Sequence, residues 1–241
     1  MQPEKVWRVV GSSVRGTSHA ATGLPCQDAH AWRTPRRGLL IAAAADGAGS
    51  AKESQTGARL ACDAALDSLA RNQDLRAAAA AARAGVLAEA ERLQLPPREL
   101  ACTLMLLVAT PAGASALQIG DGAVLVLAES GDLRALTAPA ESEYLNETDF
   151  LTGPGALDGL QTAEFGERVR GAALFTDGLQ MLTLKMPERA PHQPFFNPLF
   201  RFVQNEPDAK NRQEQIDKFL RSPRVAQRAD DDLTLLLALL S

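Results

Sequence analysis

Apolar residues follow two different periods along the chain, and each period predicts one kind of element. Helical spacing extends over residues 54–70 and 74–95 and returns over residues 212–220, and Pro96 and Pro97 stop the second of these helices. Compact apolar runs bounded by small or turn-forming residues predict strands. These runs cover residues 6–12, 39–45, 103–109, 115–119, 123–129, 133–137, 169–175 and 233–240.

Three segments lie outside this pattern. Residues 15–30 carry scattered Gly and Pro and are predicted as a loop. Residues 139–168 lose periodicity and are rich in glycine, which predicts a long irregular surface segment. Residues 185–211 are rich in Pro and Phe and allow no assignment. The short separations with Gly and Asp between residues 103 and 137 predict hairpins, hence antiparallel pairing.

Mostly antiparallel strands with a few helices predict one α+β domain over residues 1–241. The net charge of −4 is small and Lys and Arg are scattered, so nothing predicts a nucleic-acid partner. No apolar run is long enough to cross a bilayer, so no membrane association is expected. The three cysteines are far apart and odd in number, which predicts no disulfide framework and a cytoplasmic protein.

Acidic residues stand at the ends of several predicted strands. Asp46, Asp121 and Asp177 each follow an apolar run and precede a glycine, Asp231 precedes the last strand, and Asp28 lies in the early loop. An Asp-Gly pair is common in turns for local reasons, and that interpretation is open for each pair alone. If the strand ends converge, several carboxylates share one cleft and need compensation of their charge. Mg²⁺ or Mn²⁺ would supply it, since both prefer oxygen ligands.

The order of these motifs resembles that of the metal-dependent protein serine/threonine phosphatases of type 2C, in particular a compact bacterial branch of that family. The stretches that carry the resemblance run in order through nearly the whole chain. They are GLPCQDAH, AAADGAGSAKESQTGARLA, CTLMLLVA, IGDGAVLVL, LFTDGLQML and ADDDLTLLL. Each motif is short, but their common order is specific.

The resemblance implies a four-layer αββα sandwich of two mainly antiparallel sheets flanked by helices. Residues 139–168 would form a mobile flap over the active site. The implied reaction is the hydrolysis of phosphoserine and phosphothreonine in proteins by a metal-activated water. A Ser/Thr kinase or its target is the implied partner, and the chain is expected to be a monomer.

The resemblance also implies a role for each acid. Asp46 would bridge two Mn²⁺ or Mg²⁺ ions, and the Gly47 carbonyl would complete the coordination of one of them. Asp177 and Asp231 would hold the other ion. Asp28 would orient a water on the metals. Asp121, together with Asp177, would favour a weaker third ion.

The chain departs from the family pattern at several positions. Many members carry a phosphate-binding Arg five residues before the acid that Asp28 matches, and this chain has Gly23 there. Arg15 or His19 would reach the phosphate instead, although a solvated arginine and a structural loop histidine account for them equally well. Asp232 replaces a frequent Asn and is expected to support the metal ligands from behind.

Two other functions are open at this point. A non-catalytic, phosphate-recognising regulatory scaffold could have the same fold, although the retained Asp46, Asp177 and Asp231 argue against it. An unrelated metal-dependent hydrolase could use the same ligand chemistry, although the order of the motifs argues against that. Metal-dependent release of phosphate would distinguish the enzyme from the scaffold.

Overall fold

In the computed structural model, which describes residues 6–139 and 149–241, two five-stranded antiparallel sheets lie face to face. The strands in chain order are β1 (Trp7–Val14), β2 (Ala29–Arg33), β3 (Leu40–Ala45), β4 (Leu104–Thr110), β5 (Gly113–Ile119), β6 (Ala123–Ala128), β7 (Leu133–Thr137), β8 (Gln161–Phe165), β9 (Val169–Phe175), β10 (Leu184–Lys185), β11 (Ala190–Pro191) and β12 (Leu233–Leu240). The first sheet has the order β1-β12-β9-β6-β7 and the second has β2-β3-β4-β5-β8. Strands β10 and β11 form a separate short ribbon.

Helices cover the outer face of each sheet. In chain order they are α1 (Thr17–Thr22), α2 (Ser54–Asn72), α3 (Leu75–Arg92), α4 (Gln180–Thr183), α5 (Gln193–Asn205), α6 (Ala209–Leu220) and α7 (Pro223–Ala226). Helices α2 and α3 pack on the second sheet, and α5 and α6 pack on the first. The predicted α+β sandwich with four layers is therefore confirmed. None of the helices in the described residues is long and apolar enough to cross a membrane.

Strand β3 shows why its sequence is apolar at every position. Ile41, Ala43 and Ala45 pack against the helix layer, and the alternate residues of the strand face the other sheet. Because β3 lies inside the sandwich, both of its faces are buried. The small alanines let α2 come close. The acid that follows this strand is thus held by one of the most tightly enclosed elements of the fold.

The predicted hairpin between β5 and β6 is wrong. These strands belong to different sheets, so residues 120–122 carry the chain across the sandwich. The hairpins β4–β5 and β6–β7 are confirmed. A short Gly-containing separation allows either a hairpin or a crossover, and the choice depends on which partners bury the strands.

The irregular segments contain regular structure that the sequence pattern did not reveal. Within the predicted loop at residues 15–30, Thr17–Thr22 form α1 and β2 begins at Ala29. Within residues 139–168, Gln161–Phe165 form the edge strand β8, which pairs with β5. Residues 140–148 lie outside the described residues, so a flap role for this segment stays a prediction. The unassigned residues 185–211 contain all of α5 and the start of α6.

Candidate metal centre

Three of the predicted acids meet at one edge of the sandwich. Asp46 follows β3 of the second sheet, Asp177 lies just after β9 of the first sheet, and Asp121 lies in the crossover between the sheets. One carboxylate oxygen from each lies within 4.8 Å of the others. We call Asp46, Asp121 and Asp177 the acid cluster. The fold therefore brings together carboxylates that are far apart in the chain.

The backbone of Asp46 is fixed by its neighbour Thr103. The Asp46 N–H donates to Thr103 Oγ1 at 2.9 Å, and the Thr103 N–H donates to the Asp46 carbonyl at 2.8 Å. The next residue, Gly47, forms an isolated bridge with Cys102. A Cβ on Gly47 would lie 2.7 Å from the Gln27 carbonyl oxygen, so only glycine fits this approach.

Asp28 joins the acid cluster through strand pairing. Ala29 pairs with Ala45 across β2 and β3, which places Asp28 beside Asp46. The Asp28 side chain is buried, and its Oδ2 accepts a hydrogen bond from Thr176 Oγ1 at 2.7 Å. Thr176 in turn accepts one from the Thr234 N–H at 3.0 Å. Asp28 is thereby held in one orientation by the strands of both sheets.

Burial and mutual repulsion shift the protonation of these acids. Burial raises the pKa of Asp28 to about 7. Burial, and then the charge of Asp121, raise the pKa of Asp177 to about 6. The pKa of Asp46 lies well above its ordinary value because of burial and then the charges of Asp28 and Asp177. Burial is therefore the main cause for all three acids, and neighbouring negative charge adds to it most clearly for Asp46 and Asp177.

The donor set fits a hard divalent cation. Asp28 Oδ1 and Asp177 Oδ1 are buried and accept no hydrogen bond from the described residues. Buried acceptors normally have donors, so such oxygens call for another positive partner. Carboxylate oxygens in a like-charged group are the ligands that Mg²⁺ and Mn²⁺ prefer. The residues present are therefore chemically suited to these ions.

Asp231 lies at the side of the acid cluster. After burial and the charge of Asp121, the charge of Asp231 also contributes to the raised pKa of Asp177. Its side chain is half exposed, and its Oδ1 lies 3.6 Å from His19 Nε2. Together with His19 and Asp232 it forms a second group whose ligand-type atoms lie within 4.8 Å of one another. Among the described residues Asp231 thus groups with His19 and Asp232 rather than with the acid cluster, and its role as a metal ligand stays a prediction.

Asp232 organises the loop that leads to Asp28. Its Oδ1 accepts from the Gly16 N–H at 2.7 Å, and its Oδ2 accepts from the Gln27 N–H at 2.5 Å and from His19 Nδ1 at 2.9 Å. Gly16 is required here, since a Cβ would lie 2.3 Å from the Asp231 backbone. Asp232 therefore fixes the loop at Gly16, His19 and Gln27, and a role in supporting the metal ligands stays a prediction.

The two candidate phosphate ligands differ in their surroundings. His19 is buried and bonded to Asp232. Arg15 is exposed and donates to the Leu24 carbonyl at 3.4 Å. Both have ordinary structural contacts, so phosphate binding by either stays a prediction.

Two threonines of the site were missed in the sequence. Thr103 and Thr176 hold Asp46 and Asp28, and each is fully buried or nearly so. Thr176 directly precedes Asp177, so its position in the motif was the available signal. A buried hydroxyl can donate and accept hydrogen bonds and normally has a polar partner.

The thiols do not offer an alternative nucleophile. Burial raises the pKa of Cys26 and of Cys102 to about 12, and the pKa of Cys62 lies well above its ordinary value for the same reason. A thiol that stays protonated at neutral pH is a poor nucleophile. The chemistry of the site therefore rests on its carboxylates.

Comparison with known proteins agrees with this chemistry. The family model described as protein phosphatase 2C matches residues 15–221. Serine/threonine-protein phosphatase 3 of Escherichia coli (strain K12) is 40% identical over 259 residues, covering 97% of this chain and 98% of that protein.

Two solved structures share the fold at low sequence identity. Serine/threonine phosphatase Stp1 from Staphylococcus aureus has a TM-score of 0.63 at 13% identity, covering 100% of this chain and 98% of that chain. RsbX in complex with magnesium has a TM-score of 0.58 at 14% identity, with 100% and 98% covered. Since the family model matches most of the chain and the E. coli relative matches nearly all of it, this chain belongs to the protein phosphatase 2C family.

Proposed function

We propose that this protein hydrolyses phosphoserine and phosphothreonine in proteins, with Mn²⁺ or Mg²⁺ as its cofactor. The observation that carries the proposal is the convergence of the acid cluster, with Asp28 beside it, at one edge of the sandwich. The name of the E. coli relative supports the substrate class, because it is a serine/threonine-protein phosphatase. The retention of all these acids favours an enzyme over a non-catalytic scaffold.

The chain would hold two ions and a weaker third. Asp46 would bridge the first two, the Gly47 carbonyl would complete one, and Asp177 and Asp231 would hold the other. Asp121 with Asp177 would take the third. The raised pKa of Asp46 and of Asp177 supports this arrangement, since cations relieve the same repulsion. The magnesium in the RsbX structure supports the choice of metal.

Bound cations of this kind activate a water molecule and neutralise charge on the transferred phosphoryl group. The protein then contributes mainly by holding the reacting groups in position. Asp28 is suited to orient the attacking water, because Thr176 fixes its Oδ2 while its Oδ1 accepts no bond from the described residues. The Oδ1 atom can therefore accept a hydrogen bond from that water.

A cavity next to the loop that follows Asp46 offers a place for the polypeptide around the phosphorylated residue. It has a volume of about 600 Å³ and is lined by Arg98, Ala101 and parts of residues 149–159. The Ala101 carbonyl accepts from the Ala48 N–H at 2.9 Å, so the cavity adjoins the loop of Asp46. Leu151 anchors the other wall by donating to the Cys102 carbonyl at 2.8 Å.

The cavity lies next to part of the flap predicted at residues 139–168. We therefore also propose that this segment contacts the protein substrate. A Ser/Thr kinase or its target would be the phosphoprotein. The E. coli relative and the three free thiols support a bacterial, cytoplasmic setting.

The proposal is tested with purified protein, p-nitrophenyl phosphate and a phosphothreonine peptide, each with Mn²⁺, with Mg²⁺ and with chelator. We expect metal-dependent phosphate release from both substrates. No metal-dependent release from either would refute the enzyme and favour the scaffold. Release from p-nitrophenyl phosphate alone would refute the protein substrate and leave a phosphatase for small molecules.

A further inference from the structure

The turn that carries Asp121 is held by two glutamine side chains. Gln118 Nε2 donates to the Gly120 carbonyl at 2.9 Å and to the Gly122 carbonyl at 2.8 Å. Gln180 Nε2 donates to the Asp121 carbonyl between them at 2.6 Å. Three successive carbonyls are therefore bonded to side-chain amides, in a segment that crosses between the sheets and has no strand partner for them.

The orientation of Gln118 is fixed from its other end. Gln118 is fully buried in β5, and its Oε1 accepts a hydrogen bond from Thr137 Oγ1 of β7 at 2.6 Å. This bond joins the second sheet to the first. With its oxygen facing Thr137, the amide nitrogen faces the turn, and both of its N–H groups are used.

Gln180 links the turn to the next ligand. It begins α4, directly after the 3₁₀ turn Asp177–Leu179, so its amide ties the Asp121 backbone to the segment that carries Asp177. The opposite side of the turn is closed by packing. A Cβ on Gly120, whose φ is +100°, would lie 2.5 Å from Thr103 Cγ2, and Thr103 also holds Asp46.

We propose that Gln118 and Gln180 are positioning residues that fix Asp121 relative to Asp46 and Asp177 for cation binding. This inference rests on the proposed metal-dependent function. Neither glutamine reaches the reacting atoms, since both bond to backbone carbonyls behind the carboxylate. Groups that orient a metal ligand in this way change metal affinity by about 10-fold or more when removed.

The test compares Gln180→Met, Gln118→Met and Thr137→Val with Asp121→Asn. Gln180→Met keeps the length of the side chain and removes the donor at a partly exposed position. Thr137→Val keeps the shape and frees only the Gln118 oxygen. Gln215→Met is the matched control, because Gln215 makes an exposed amide bond to Asn211 on α6, remote from the turn.

Two measurements on each variant separate positioning from general stability. Calorimetric titration of the metal-free protein with Mn²⁺ gives the affinity of each binding step, and thermal unfolding in chelator gives the Tm. We expect Asp121→Asn to remove one Mn²⁺-binding step. Gln180→Met should weaken the Mn²⁺ affinity of that same step by about 10-fold and leave the Tm in chelator little changed. The rate at saturating Mn²⁺ should stay near that of the wild type, and Thr137→Val should give a smaller shift in the same step.

Unchanged Mn²⁺ binding in both Gln180→Met and Thr137→Val would overturn the inference, whether or not Gln118→Met folds. So would an Asp121→Asn variant that binds Mn²⁺ like the wild type, or equal weakening of every step together with a lower Tm. These outcomes leave phosphate release by the wild type intact. Failure of the proposed function itself would instead appear as a wild type without metal-dependent release.

Discussion

Without metal, the Asp177→Asn variant should be more stable than the wild type. With Mn²⁺ present, the variant should be less stable than the wild type. In the metal-free protein Asp177 is a carboxylate pressed against Asp121 and Asp46, with one buried oxygen that accepts no bond from the described residues. Asn removes the charge, keeps the shape and offers an amide N–H to the neighbouring carboxylates. The same change removes the negative charge that would hold the cations.

The size of the effect follows from the pKa of Asp177, which is raised from 3.8 to about 6 by burial and then by the charge of Asp121. This difference corresponds to about 3 kcal/mol of lost unfolding free energy when the carboxyl is ionised. Because the folded state has the higher pKa, the loss is absent below about pH 4 and complete above about pH 7. For a chain of this length, about 3 kcal/mol shifts the Tm by roughly 6–12 °C.

The assay is thermal unfolding of the wild type and of Asp177→Asn in chelator at several pH values, repeated with saturating Mn²⁺. In chelator the variant should melt higher at pH 8, and the difference should shrink toward zero as the pH falls to about 4. With Mn²⁺ the wild type should gain stability from ligand binding and the variant should gain little, so that the order reverses.

A variant that melts below the wild type in chelator, by the same amount at pH 4 and pH 8, would refute this reasoning. Asp177 would then be a satisfied structural residue whose replacement only disturbs packing. A variant with the full Mn²⁺-induced rise in Tm would refute its role as a metal ligand.

Two further predictions concern the surroundings of the site. Asp232→Asn should lower the unfolding free energy by about 1–3 kcal/mol, because three donors converge on the two carboxylate oxygens and the amide NH₂ of Asn would face at least one of these donors. Denaturant unfolding measures this loss, and an unchanged midpoint would contradict the prediction. Arg98→Ala should reduce kcat/KM on phosphopeptides with acidic flanks by about 5-fold, the loss of about 1 kcal/mol, and leave p-nitrophenyl phosphate unaffected. Arg92→Ala, an exposed arginine paired with Glu89 on α3, is its control, and equal losses on both substrates would place Arg98 in support of the metal site.

The acid cluster was predictable because each member carries its own local signal. Asp46, Asp121 and Asp177 each follow an apolar run and precede a glycine, and β3 is buried on both faces as its composition indicates. The order of the motifs then predicted the αββα sandwich. Local pattern and global fold agree at these positions, which is typical of residues that end core strands.

The contacts that were not predictable depend on partners far away in the chain. The bond between His19 and Asp232 joins residues 213 positions apart, and no local pattern encodes it. The crossover at residues 120–122 has the composition of a hairpin, and only the burial of β5 and β6 in different sheets decides its path. Helix α5 was hidden by Pro198 within it, although Phe196 and Phe200 bury one face.

The central claim is that the acid cluster holds the cations on which phosphate hydrolysis depends. The most direct test is the rate of phosphate release from a phosphothreonine peptide as a function of Mn²⁺ concentration, for the wild type, Asp46→Asn and the exposed control Asp132→Asn. We predict saturable activation by Mn²⁺ in the wild type and the control, and background rates at every Mn²⁺ concentration in Asp46→Asn, with its fold retained by circular dichroism. A folded Asp46→Asn variant with the wild-type rate and the same Mn²⁺ dependence would contradict the account.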